Sequence, residues 1–347
     1  MRHLKKYLTT FFKIGIAFIL IWYLFKSGRL RSESLVRLFH LNSLPFLILS
    51  GLAFFSSQAL SSVRIIFLLK IVDIRLRWIS SFKLTMIGNF FNMVIPGTVG
   101  GDIVKGFYLA KSEEIYRGRS SGIVIIDRVI GLLALLLIGF VSTVYLSKKY
   151  SSILIPYQYE VWSILAIAAV LLGLFVSFIM IGKNKLVRKK LREIAFKIFQ
   201  QGFFHNMMEG FGAVTKKRRY LIYAFLMSIV IQGFCLVGLL NLVNLTDEIM
   251  SDMIALVAIS SIVMLLGIIP VTPGNIGWTE LLATFGWSVV GSQGGAEVFL
   301  SWRIITVICS LLGGIFYLFP ELEPRNVKVE NDSKGEKLGL AKEPRNF

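Results

Sequence analysis

A small set of charged side chains lies within or beside the apolar stretches of this 347-residue chain. A charge inside a bilayer costs about 3 kcal/mol, so it usually faces a partner or a cavity. Arginine donates paired N–H groups to phosphate or carboxylate, and an acid can hold an arginine or an amine. The pattern therefore predicts a site for an anionic head group in the membrane. The set consists of Arg64, Asp102, Asp127, Arg128, Glu280 and Arg303.

Two matching Pro/Gly motifs lie next to these charges. Residues 96–102 read PGTVGGD and residues 273–280 read PGNIGWTE, so both contain P-G-x-x-G followed by an acid. Pro removes a backbone donor and Gly permits conformations that other residues resist, so each motif breaks a helix. The N-terminus of a returning half-helix then offers unpaired N–H groups to an anion. The site residues predicted in these motifs are Pro96, Gly97, Gly100, Gly101, Pro273, Gly274 and Gly277.

Structural roles remain open for several of these residues. Arg64 can extend to a membrane surface, and Arg303 can be an interfacial anchor. Asp102 and Glu280 can simply complement a helix dipole.

Asn89 and Asn92 lie one helical turn apart before the first motif. They either line the same cavity or only bond a neighbouring helix.

The elements that position these residues are apolar segments. The chain is 55% hydrophobic, and its charges fall into short clusters. Stretches suited to membrane spans cover residues 10–25, 44–69, 122–146, 161–181, 220–245 and 302–319. Two more, 81–110 and 253–290, are interrupted by the motifs. The net charge of +18 fits basic cytoplasmic loops, and no folded basic module indicates nucleic-acid binding.

Loop charges predict the orientation. The segment 182–219 is strongly basic and is assigned to the cytoplasm, whereas 245–252 is acidic and is assigned outside. Each broken segment then enters and leaves on one face. The basic stretch 26–40 falls outside in this scheme and is its exception.

The sequence thus predicts an all-α polytopic membrane protein with about six full spans and two re-entrant helical hairpins in an inverted repeat. Repeat one covers about 10–147 and repeat two about 161–319, within one transmembrane domain, 1–320. The polar tail 321–347 is predicted to be disordered. We expect a multi-pass protein of the cytoplasmic (inner) cell membrane with both termini in the cytoplasm.

At these residues the sequence resembles the family named for the transmembrane region of lysylphosphatidylglycerol synthase, also described as flippase-like. The matching segments are 89–102, 127–131 and 269–280, together with Arg64. Asn275 departs from the Gly of many members, and Trp278-Thr279 replaces a common Val/Arg-type pair. The resemblance implies movement of a lipid, or of a lipid-linked head group, between leaflets.

Three functional hypotheses follow. The first is a flippase-like transporter that binds an anionic phospholipid or lipid-linked head group. The second is a membrane-embedded enzyme that acts on a lipid head group or a polyprenyl-linked sugar, with carboxylates as bases. The third is an accessory subunit that partners a lipid-synthesising enzyme. We expect no cofactor and no metal, because no Cys/His cluster has ligand spacing. We also expect no enzyme activity, because the soluble aminoacyl-transfer domain of full-length relatives has no counterpart here.

Overall fold

The computed structural model describes residues 40–72, 74–94, 100–110, 117–151, 158–181, 218–246, 252–318 and 327–329, with isolated helical positions 19, 22, 23 and 26. The predicted span 10–25 and the basic segment 182–219 therefore lie almost wholly outside the described residues. Pro96 and Gly97 also lie outside them.

The described part is built on α-helices, most of them close to the predicted stretches. They are α1 (Leu44–Leu69), α2 (Trp78–Val94), α3 (Gly100–Ala110), α4 (Arg117–Lys149), α5 (Gln158–Ile181), α6 (Arg218–Leu240), α7 (Met253–Leu266), α8 (Trp278–Ser288) and α9 (Gly295–Leu318). Short 3-10 turns cover Leu41–Ser43, Lys70–Val72, Asn241–Leu245 and Pro273–Asn275.

Helix ends follow local chemistry. Pro45 lies in the first turn of α1, where its missing N–H leaves no hydrogen bond unmade. Asp252 caps α7, because its Oδ1 accepts the Ile254 N–H at 3.0 Å. Helix α9 begins at Gly295, seven residues before the predicted start at Trp302, because Val298 and Phe299 pack into the core.

Within the part of the chain that the structure describes, four helical segments are long and apolar enough to cross a membrane. They are Leu41–Val72, Gly122–Lys149, Arg219–Leu245 and Gly295–Leu318. Helix α5 contains a further apolar stretch, Val161–Ser177. The length and apolar composition of these helices confirm the prediction of a helical membrane protein with several spans.

The two interrupted segments form antiparallel helical hairpins. In the first, Gly101 N–H donates to Asn92 Oδ1 at 2.7 Å, and the stem of Lys105 lies against Gly88. The contacts thus run in opposite directions along α2 and α3. A Cβ on Gly101 would collide with the Gly88 carbonyl, so Gly101 permits the close crossing.

The second hairpin joins α7 to α8. Thr279 lies beside Gly267, whereas Trp287 Nε1 donates to Ser260 Oγ at 3.2 Å near the far end of α8. Helices of 11 to 17 residues are about 16 to 25 Å long, shorter than a hydrocarbon core of about 30 Å. None of the four hairpin helices can cross a membrane alone.

Helix packing repeats between the two halves of the described chain. Helix α1 packs along α6, α4 packs along α7, and α9 packs along α2. If α1, α2, α3 and α4 correspond to α6, α7, α8 and α9, the packing of α4 on α7 corresponds to the packing of α9 on α2. The pairing of helices is therefore the same in the two halves. Each of these two pairs approaches closely at a glycine, Gly139 facing Ser261 and Gly313 facing Met86.

Helices α1 and α6 run antiparallel. Ser50 Oγ near the start of α1 donates to the carbonyl of Gly238 near the end of α6, at 2.7 Å. Arg64 near the end of α1 donates through Nη1 to Ser228 Oγ in the first half of α6, also at 2.7 Å. Helices α1 and α6, which hold equivalent positions in the two halves, therefore point in opposite directions.

A two-stranded antiparallel ladder adds to the helices and was not predicted. Strand β1 (Ile74–Leu76) pairs with β2 (Val327–Val329), with Arg75 opposite Lys328. Residues 327–329 fall in the tail 321–347, for which disorder stays a prediction. Backbone pairing to β1 supplies the hydrogen bonds that the polar tail composition does not reveal.

Candidate functional site

The first hairpin carries an ion pair at the start of its returning helix. Asp102 lies in the first turn of α3, and its Oδ2 is 2.5 Å from Nε of Arg128 on α4. The Asp102 side chain is 12% exposed, whereas the Arg128 side chain is 44% exposed. The carboxylate is thus held between a helix N-terminus and a guanidinium that still has an accessible surface.

Amide side chains bond the backbone and neighbours of this hairpin. Asn92 receives the Gly101 N–H, which satisfies a donor of the first turn of α3. Asn89 Nδ2 donates to Gln58 Oε1 on α1 at 2.8 Å. Asn92 and Gly101 are therefore brought together, while Asn89 faces α1. Gly100 begins α3 and is buried.

A second ion pair lies between α1 and α4. Arg64 donates from Nε to Asp127 Oδ1 at 2.7 Å and from Nη2 to Asp127 Oδ2 at 2.9 Å. Its Nη1 bonds Ser228, and both charged residues are buried. Gly131 lies beside the guanidinium, where a Cβ would be 3.3 Å from Nη1. Arg64 thus ties together three helices instead of extending to a surface.

The third ion pair belongs to the second hairpin. Glu280 is 1% exposed, and its Oε1 accepts the Arg303 Nε–H at 2.8 Å. Its Oε2 accepts the backbone N–H of Gly277 at 2.7 Å. Glu280 therefore caps α8 from the third helical position and at the same time neutralises Arg303.

Arg303 also clamps the turn at the tip of this hairpin. Its Nη1 donates to the carbonyl of Gly274, and its Nη2 donates to the carbonyl of Asn275 at 3.2 Å and to Thr279 Oγ1 at 2.5 Å. Gly274 and Asn275 have φ of 60° and 58°, and Gly277 has 81°, so this turn needs residues that tolerate left-handed backbone. Pro273 opens the same turn. Asn275 tolerates the position that Gly occupies in many members of the resembled family.

The ion pairs of the two hairpins correspond. Asp102 and Glu280 lie in the first turns of α3 and α8, while Arg128 and Arg303 lie on the helices that follow, α4 and α9. The preceding residue differs, since Asp127 binds Arg64 whereas Trp302 packs against Gly238 of α6.

The surface around Arg128 is apolar. Ile125 and Val129 lie on the same exposed face of α4 as Arg128, and Ile103 and Phe107 are exposed on α3 beside Asp102. The arrangement can present a cation to an anionic group whose attached chains contact aliphatic and aromatic side chains. Arg303 is half as exposed, at 22%, and Arg64 is buried.

Several polar residues of this region were not predicted. Gln58, which bonds Asn89, and Ser228, which bonds Arg64, are neutral residues within apolar helices, and the sequence carries no signal for either contact. Lys105 is 7% exposed in α3, one helical turn after Asp102 in a membrane segment, which is a signal that could have identified it. Lys149 at the end of α4 pairs with Asp252 at 2.9 Å. Among the described residues, no three His, Cys, Asp or Glu side chains group so as to hold a metal.

Comparisons with known proteins agree with the resemblance. The family model described as lysylphosphatidylglycerol synthase TM region matches residues 10–314. UPF0104 membrane protein MJ1078 of Methanocaldococcus jannaschii is 27% identical over 248 residues, covering 69% of this chain and 99% of the relative. UPF0104 membrane protein MJ1595 of the same organism is 25% identical over 285 residues, covering 76% and 81%. No solved structure matches the chain.

Proposed function

This chain belongs to the lysylphosphatidylglycerol synthase TM region family, and we propose that it binds an anionic lipid, or a lipid-linked head group, and moves it between leaflets. Membership and the apolar helices make it a multi-pass membrane protein. The lipid, the transport and the roles of individual residues belong to the proposal.

In this proposal the two helical hairpins enter the membrane from opposite faces and end partway across it. Their short helices support this, because neither arm is long enough to cross. Helices α1 and α6 run antiparallel, which supports opposite orientations of the two halves. We further propose that both termini lie in the cytoplasm. Inverted pairs of broken helices surround the substrate sites of many transporters.

The observation that carries the proposal is the exposed Arg128 beside Asp102. A half-exposed arginine within an apolar surface would be costly in a bilayer without an anionic partner. Its guanidinium has five N–H donors in a planar fork, and the Asp102 contact is made by Nε. The Arg128 side chain is 44% exposed, so a phosphate oxygen can approach it, while Ile103, Phe107 and Val129 contact the acyl chains.

Asp102 would help to release the head group from Arg128. When a phosphate approaches Arg128, the two anions compete for one guanidinium. Return of Asp102 to Arg128 then displaces the head group, so binding and release become an exchange of carboxylate for phosphate. An exchange of this kind avoids leaving either charge unpaired in a low-dielectric site.

The other two ion pairs position the hairpins. Arg64 and Asp127 satisfy each other through two hydrogen bonds, and Arg303 is bound to Glu280 and to tip carbonyls. Arg64 is buried and the Arg303 side chain is 22% exposed, against 44% for Arg128. We therefore assign the first contact with the head group to Arg128, on its exposure.

The test is transport of fluorescent phosphatidylglycerol in proteoliposomes. Arg128→Ala is expected to slow the protein-dependent flip by about 10- to 100-fold, because a charged hydrogen bond contributes about 1.5–3 kcal/mol. The matched control is Lys149→Ala, which removes an ion-paired cation at the far end of the same helix. Both variants must be reconstituted into the proteoliposomes in equal amounts.

Two results would overturn the proposal. One is equal flip rates for wild type and Arg128→Ala. The other is a deletion strain that lacks a modified lipid but keeps its normal leaflet distribution, which would favour a lipid-modifying enzyme.

A further inference from the structure

Lys105 is a buried cation with no ionic contact of its own. Its side chain is 7% exposed in α3, on the turn after Asp102. Within the described ranges, neither an ion pair nor a hydrogen bond is formed by its ammonium group. Its electrostatic neighbours are Asp102, Asp127, Arg128 and Arg64. Both acids already accept hydrogen bonds or ion pairs from the two arginines.

The hairpin makes room for this side chain. The Lys105 stem lies so close to Gly88 on α2 that a Cβ on Gly88 would collide with Cε. Glycine within a helix lowers its stability by about 1 kcal/mol relative to alanine. The combination of Gly88 and a buried lysine therefore costs the hairpin stability, and among the described residues no ion pair of Lys105 offsets that cost.

The second hairpin shows that the fold does not require this charge. Three residues after Glu280, in the position equivalent to Lys105, the chain has the fully buried Ala283. The second hairpin is electrically neutral through Glu280 and Arg303. Among the described residues around the first hairpin, Arg64 and Arg128 form ion pairs with Asp127 and Asp102, whereas Lys105 forms none.

We propose that Lys105 is the second cation of the head-group site and binds a phosphate group together with Arg128, which makes the first hairpin the anion-selective half of the molecule. This inference rests on the proposed function and names the chemistry of its substrate. A phosphate at this place would neutralise the buried ammonium group of Lys105. Anionic lipids would thus be preferred over zwitterionic ones.

The test uses the purified full chain in neutral detergent. Thermal unfolding is measured without addition, and then with dioleoylphosphatidylglycerol, dioleoylphosphatidylcholine or inorganic phosphate. Lys105→Met keeps the packing of the stem and removes the charge, while Lys105→Ala reproduces the second hairpin. Lys149→Ala is again the control.

Without ligand, both Lys105 variants are expected to unfold at the wild-type temperature or above it, because an unpaired buried charge has been removed. Their affinity for phosphatidylglycerol is expected to fall about 10- to 100-fold. Phosphatidylcholine is expected to stabilise the wild type less. A Lys105-dependent shift with inorganic phosphate would support the same site for a phosphate group that is not attached to a lipid.

The inference is overturned if both variants unfold at lower temperature and keep the full phosphatidylglycerol-induced shift, since Lys105 would then be structural. The flip assay on the same variants separates the two proposals. If binding depends on Lys105 but the protein causes no flip, the transport proposal is wrong and the Lys105 site stands. If Lys105→Met binds and transports at wild-type levels, the Lys105 site is wrong and the transport proposal stands.

Discussion

Removal of Arg64 tests how the described helices hold together. Arg64→Leu would leave the Asp127 carboxylate buried without its two hydrogen bonds of 2.7 and 2.9 Å. Breaking a buried pair on one side costs about 3–5 kcal/mol. Asp127→Leu should cost a similar amount, because the guanidinium then remains buried with Ser228 as its partner.

The double variant Arg64→Leu/Asp127→Leu should be far more stable than the sum of the single changes. Replacement of a buried pair by apolar residues is often neutral, so the expected coupling energy is about 6 kcal/mol or more. Ser228→Ala is the control for a neutral partner and should cost about 1.5–3 kcal/mol, since it removes one bond to a charged donor.

The assay is equilibrium unfolding in mixed micelles at increasing mole fraction of dodecyl sulfate, followed by circular dichroism. Each variant gives a free energy of unfolding, and the cycle gives the coupling. Two results would refute the reasoning. They are strictly additive losses in the double variant and an Arg64→Leu protein as stable as the wild type.

Two further predictions concern packing and pH. Gly101→Ala should destabilise the protein by at least about 1–3 kcal/mol in the same assay, because the new methyl group would collide with the Gly88 carbonyl. The control Gly233→Ala, which has open space around the new methyl group, should be neutral or stabilising. Lys149, 2.9 Å from Asp252, lowers the pKa of that carboxyl, so its stabilisation is present above the carboxyl's ordinary pKa and is lost as pH falls through the lowered value. The unfolding temperature should therefore fall more steeply below about pH 4 in wild type than in Lys149→Ala; equal slopes would contradict the role of the pair.

The helical elements could be predicted because their signal is local. Apolar stretches of span length became α1, α4, α5, α6 and α9 with boundaries within a few residues, apart from the early start of α9. The two motifs identified both helical hairpins, because Pro and Gly act on the backbone where they stand. The sequence also singled out the residues of three ion pairs, Arg64–Asp127, Asp102–Arg128 and Glu280–Arg303, but not Lys149–Asp252.

Their partners were decided by tertiary structure. Arg64 was left open between a surface role and a site role, and the fold placed it on Asp127 and Ser228, residues 63 and 164 positions away. Likewise, only the fold shows that Arg303 clamps the tip of the second hairpin and that the Arg128 side chain is 44% exposed. Exposure depends on which helices pack beside a residue, and no local pattern encodes it.

The sequence by itself determined that this chain enters a membrane, where its helices break, and which charged residues accompany the breaks. These properties depend on hydropathy, proline, glycine and spacing, which act over one or two helical turns. Tertiary structure decided which of the described charges pair with each other, and it buried Lys105 against Gly88. Charge balance in a site is a sum over distant segments, and only the packed chain brings those segments together.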